Sequence, residues 1–236
     1  MNYERNKKYF INGTRNSAKT FFITGIVLII LGIIMMIPLS MAEMGGIGLI
    51  YIIPGIILVL VGKNKTDTLD SDIDDDLIRY FKEQNLKEKA LDKLGLDETE
   101  VMEIEPVYID GYHFDGATVV VGKDGKARSS LGRAVYFFFT QNEVHCYTHT
   151  KSLVDSFCSE DTDTYFYSDI VSVSTVTQSG SSTLAPGRPA QNYQYDCFKL
   201  TTTGGTSVQA SLRDKAGAER SINGMRNLIK AKKQAQ

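Results

Sequence analysis

The stretch AVYFFFTQNEVHCYTHT, residues 134–150, decides what the second half of this chain becomes. Aromatic and β-branched side chains fill 134–140 and return in 143–150, and such residues fit a pleated, half-buried surface. Gln141-Asn142 breaks the run with two polar residues, so the segment reads as strand, turn, strand. The same punctuation spreads outward. Residues 107–109 and 117–121 read as strands broken at Gly111 and Gly116, and Asp124-Gly125 is a strong hairpin turn. Downstream, 164–167, 170–177, 195–203 and, across Gly204-Gly205, 206–213 continue the pattern. The chain then changes period: Ile222, Met225, Leu228 and Ile229 form one apolar stripe on a helix over 216–232. About seven antiparallel strands with a closing amphipathic helix make a bent sheet whose open end the helix plugs.

Upstream of the strands the pattern is helical. Six aspartates crowd residues 67–76: Asp67, Asp70, Asp72, Asp74, Asp75 and Asp76. An EF-hand loop starting at Asp70 fails, because Asp75 occupies its glycine position and Phe81 its bidentate glutamate position. The run reads instead as the acidic N-terminus of a helix carrying Leu77, Ile78 and Phe81, since carboxylates there complement the helix dipole. A second helix, 86–94, ends at Gly95, and Asp97 with Glu100 forms a variant capping box.

Further upstream lie two apolar runs, residues 20–42 and 44–62, parted by Glu43. A spanning helix takes about 20 apolar residues, so the pair reads as a transmembrane hairpin rather than a signal peptide. Arg5, Lys7, Lys8, Arg15 and Lys19 precede it, Lys63 and Lys65 follow it, and residues 38–46 hold no Lys or Arg. The positive-inside rule then places both termini in the cytoplasm of a multi-pass cell-membrane protein. Gly25 falls opposite Gly55 and Gly32 opposite Gly48 when the runs fold antiparallel, which suits close helix packing. Pro54 should kink the second helix.

Three stretches, 90–97 (ALDKLGLD), 123–126 (KDGK) and 219–225 (ERSINGM), resemble those of uncharacterised bacterial membrane proteins with a two-helix anchor and a pleckstrin-homology-like domain. That resemblance covers roughly residues 90–233 and implies a fold and a cytoplasmic position; with the readings above, the expectation is an α+β chain with a basic cytoplasmic segment over 1–19, a transmembrane hairpin over 20–62 and a helical connector over 63–105. A pleckstrin-homology-like seven-stranded β-barrel or sandwich with a C-terminal helix follows over 106–236. It implies no activity, since such folds host many functions.

Lys123, Lys126 and Arg128 surround the Asp124-Gly125 turn, with Arg133 beyond. The spacing resembles the basic first hairpin of pleckstrin-homology domains, and several cationic donors on one tip can surround a lipid phosphate. Other chemistry is sparse. His145 and His149 share a strand face but stand about 13 Å apart at ~3.3 Å per residue, too far to chelate one ion, and Cys146 points toward the core. No metal site or cofactor is expected. Cys146, Cys158 and Cys197 are odd in number and widely spaced, so they read as reduced thiols. No P-loop, G-x-G-x-x-G, G-x-S-x-G or H-E-x-x-H occurs. A net charge of -2 gives no basic excess for nucleic acid. The loop over 179–191, rich in Ser, Gly and Pro, reads as disorder. The resulting expectation is a membrane-anchored, non-enzymatic interaction or regulatory module that binds a protein partner or lipid headgroups. Oligomeric scaffolding through the glycine-bearing helices and an enzyme with an unfamiliar site are the alternatives.

Overall fold

The computed structural model describes residues 1–12, 17–39, 47–64, 68–97, 103–182 and 190–235. The chain divides into two compact units: residues 14–69, and residues 1–13 together with 70–236.

The smaller unit is a pair of helices, α2 (Ser17–Leu39) and α3 (Ile47–Asn64). The α1 helix (Tyr3–Asn12) belongs to the larger unit. Among the described residues no helix is long and apolar enough to cross a membrane. The transmembrane hairpin, the multi-pass cell-membrane placement and the cytoplasmic assignment of both termini are therefore corrected. What the runs do form is a tightly apposed pair. A Cβ on Gly25 would lie 2.7 Å from the Gly55 carbonyl oxygen, and one on Gly55 2.8 Å from that of Gly25. Only a residue without a side chain permits backbones this close. Gly32 is buried as well, and Gly48 lies in the first turn of α3. Pro54 sits inside α3, which continues through it.

The larger unit is α+β, with nine strands among the described residues rather than seven. Strands β1 (Val107–His113), β4 (Leu131–Phe139), β5 (Glu143–Ser152) and β6 (Cys158–Phe166) form one antiparallel sheet in that order. A small hairpin of β2 (Val119–Val121) and β3 (Ala127–Ser129) interrupts the sequence between β1 and β4. Strands β7 (Ile170–Ser182), β8 (Gln191–Thr202) and β9 (Ser207–Ser211) form a second antiparallel sheet. The two sheets are stitched where β9 ends: the Arg213 amide donates to the Asp110 carbonyl at 3.2 Å, and the Ser211 hydroxyl donates to the Tyr112 carbonyl.

The quoted run explains the layering. On β4, Val135, Phe137 and Phe139 enter a core between the sheets, closed by Ile222, Met225 and Ile229 of α6 (Lys215–Gln234). Ala134 and Phe138, one position out of phase, enter a second core on the opposite face. There α1, α4 (Asp70–Glu83) and α5 (Leu86–Leu94) supply Tyr9, Phe10, Ile73, Leu77, Phe81 and Leu91. A sheet covered on both faces demands a continuous apolar run rather than an alternating one. Contact over Gly132 is tight, since a Cβ there would lie 2.2 Å from Leu77 Cδ1.

The α5 helix has the expected bounds and ends on Gly95 at φ 65°. The Asp97–Glu100 box cannot be followed, because Glu100 lies outside the described residues. Of the segment read as a loop, 179–182 belongs to β7 and Gln191 opens β8, while 183–189 lies outside the described residues.

Candidate functional site

The four basic residues proposed for a headgroup do not converge. Lys123 and Lys126 are exposed at the β2–β3 turn. Arg128 is only 3% exposed and is consumed internally. Its Nε and Nη2 donate to the two carboxylate oxygens of Asp74 at 2.9 and 2.7 Å, and it pairs bidentately with Asp124 at 2.9 Å. Arg133, on β4, lies between the sheets, where it donates to Thr150 Oγ1 at 3.1 Å and to the Gln209 carbonyl at 3.4 Å.

The aspartate run supplies the other half of this network. Asp74 also accepts from the Tyr112 hydroxyl at 2.6 Å. Asp70 accepts from the Tyr9 hydroxyl at 2.8 Å and from the Lys123 amide at 2.9 Å. Asp76 is buried, takes 3.2 and 3.0 Å bonds from the Asn2 amide and the Asn6 side chain, and pairs with Arg5 and Arg79. Burial opposes the Asp76 charge, but those bonds and cations outweigh it and hold the carboxyl below its usual range. The Arg128 hydrogen bonds draw Asp124 down to about 2. These carboxylates tie α4 to α1, β1 and the β2–β3 hairpin, a role beyond dipole compensation. A cleft of about 400 Å³ beside Arg128 is walled by Phe114 and Tyr195, and Asp74, Arg128, Asp196 and Arg213 in its lining are already paired.

Two other features keep uncommitted chemistry. The first is a groove of about 270 Å³ between β7 and α6. Its floor is Ile170, Val173 and Ile229, its lip is Val171 at 59% exposure, and Lys230 and Lys233 line its rim. Neither lysine forms an ion pair among the described residues. Arg226 is anchored, donating from Nε to the Val173 carbonyl at 2.9 Å. The β7 strand has β8 on one side and no strand on the other among the described residues. It is thirteen residues long and contains no charged side chain. The other open edge, β6, is guarded by exposed Glu160, Asp161 and Asp163. Charge on an edge strand discourages a further strand, and a bare edge invites one.

The second feature surrounds His149. Register pairs His149 with Glu160 and Lys151 with Cys158, so all four side chains share one face of the sheet. Tyr80 stacks on the imidazole from α4, with ring centroids 5.8 Å apart. Burial lowers the His149 pKa, and Glu160 opposes that shift. As expected, Cys146 enters the core, where burial pushes its thiol up to about 12. His145 bonds Thr164 Oγ1 at 3.1 Å, away from His149. Cys158 and Glu160 are the partners that spacing along β5 could not disclose, because they arrive from β6.

No family model matches the chain, and neither any curated protein nor any solved structure matches it.

Proposed function

We propose that the chain is an interaction module that captures an acidic, extended segment of a partner protein by strand addition to β7, in the groove against α6. The observation behind this reading is the contrast between the two open edges: β6 is acidic, β7 is bare and lies beside two uncommitted lysines. Backbone groups along β7 give affinity to any extended chain. Lys230 and Lys233 favour a negative one, and β6 repels it.

The experiment compares extended ten-residue peptides of acidic, neutral and basic composition by fluorescence anisotropy against the full chain. Acidic peptides bind best, and the Lys230→Glu, Lys233→Glu double variant weakens them roughly 5- to 30-fold, as two lost surface ion pairs allow. Equal affinity for acidic and basic peptides, or no response to the double variant, removes the reading.

A second reading is self-association through the helical pair. Its outer faces expose Ile23, Ile34, Ile50, Ile53, Ile57 and Leu60, and apolar surface on this scale is normally covered. Crosslinking of the intact chain yields dimers or larger species on this reading, and a solitary monomer overturns it.

A further inference from the structure

Cys158, His149 and Glu160 form a chain of contacts through one imidazole ring. Cys158 Sγ lies 3.6 Å from His149 Nε2, and Glu160 Oε1 lies 3.4 Å from His149 Nδ1. The donor atoms of the three residues fall within 4.8 Å of one another, which raises the possibility of a metal site. The closest contacts put thiol and carboxylate at opposite ring nitrogens, Nε2 and Nδ1. The same arrangement suits proton transfer: a nucleophile within reach of a base, and the base oriented by a third group.

Each member is held in place. The His149 ring is buried against Tyr80, which stacks on it, and the edge-on ring of Phe81. Glu160 is fixed by Lys93 at 3.4 Å and by the Tyr147 hydroxyl. Lys151 donates to the Asp155 and Phe157 carbonyls at 3.2 and 3.1 Å, which fixes the turn delivering Cys158. Cys158 itself is exposed at the start of an edge strand, open to a reactant. The Tyr80 hydroxyl, 3.1 Å from His149 Nε2, also reaches the Cys158 sulfur.

We propose that Cys158 is a nucleophilic thiol served by His149 as general base, with Glu160 as the positioning residue, and that it reacts with soft carbon electrophiles. The thiol proton passes to His149 Nε2 while Glu160 accepts from Nδ1–H. The sulfur pair forms a bond to the electrophilic carbon, and the leaving group departs with its bonding pair. The imidazolium then returns its proton to solvent, and the Tyr80 hydroxyl donates to the sulfur while it bears charge. This site is independent of the β7 groove.

The probe is iodoacetamide, which leaves iodide as the carbon–sulfur bond forms. Alkylation of each cysteine of the full chain is followed by mass spectrometry across pH. An unaided thiol is a few per cent thiolate at pH 7, so full assistance accelerates Cys158 by about 10- to 30-fold over the same cysteine in the urea-unfolded chain. The groups facing the imidazole and its carboxylate, and so shaping the pH profile, are Glu160, Tyr147, Lys151, Tyr80, Lys89 and Lys93. His149→Gln abolishes the acceleration, and Glu160→Gln reduces it severalfold and moves the inflection upward. A Cys158 rate at or below that of the unfolded chain overturns the proposal, as does an inflection unmoved by Glu160→Gln. Should His149→Gln fail to fold, the Glu160→Gln profile decides alone.

Discussion

The helical pair and the β-rich unit use apolar residues in opposite ways. In α2 and α3 the bulky side chains face outward and glycines meet inside, at Gly25 and Gly55. In the β-rich unit Phe137 and Phe138 point to opposite faces of one strand and both are buried. The comparison teaches that an apolar run reports burial only after its layers are known. The run at 134–139 is continuous because helices cover one face of its sheet and a second sheet covers the other.

The sharpest way to break the comparison is Phe138→Ala. It empties space between α4 and β4 and should cost the β-rich unit about 3–5 kcal/mol in urea unfolding. Gly132→Ala attacks the same contact from the other side, forcing Leu77 away, and should cost about 1–3 kcal/mol in the same assay. Arg128→Ala leaves Asp74 and Asp124 facing each other across a lost cation. It should cost about 1–3 kcal/mol, whereas Lys126→Ala, a few residues away and exposed, stays within about 0.5 kcal/mol. The acid limb of the stability curve gives a finer test. Asp124 and Asp76 have depressed pKa values in the folded chain, so their stabilisation is present above the ordinary aspartate range. It is lost as pH falls, for Asp124 down through about 2. Asp124→Asn therefore flattens the dependence of unfolding free energy on pH between about 4 and about 2. The smallest effect belongs to the helical pair: Ile50→Ser, at a site 66% exposed, shifts thermal unfolding of the monomer by no more than about 0.5 kcal/mol. A larger loss there means that a second copy covers the site.

Legibility followed the range of the interactions. The Gln141-Asn142 turn, the Gly95 cap and the α6 stripe depend on neighbours a few residues apart, and each appears in the structure. Strand β6 escaped for the most part, because CSEDTDTYF has no apolar alternation; only its last residues, Thr164 to Phe166, lay within the expected strand. Its polarity fits an open edge, which burial does not discipline. Arg128 resembled a solvated tip residue, since the carboxylate that buries it comes from Asp74, 54 residues upstream. The Cys158–His149–Glu160 chain needs the β5–β6 register before its members meet. The hairpin reading rested on run length, and among the described residues no helix is both long and apolar enough to cross a membrane.

The placement of α1 has one more consequence. Asn6, Tyr9 and Phe10 are buried in the β-rich unit, although residues 14–69 separate α1 from the rest of it. The unit therefore cannot complete itself on the ribosome until its opening helix has waited for the strands, the last of them some two hundred residues behind. A protease that nicked the intervening stretch would leave two fragments still clasped together, parting only under denaturant.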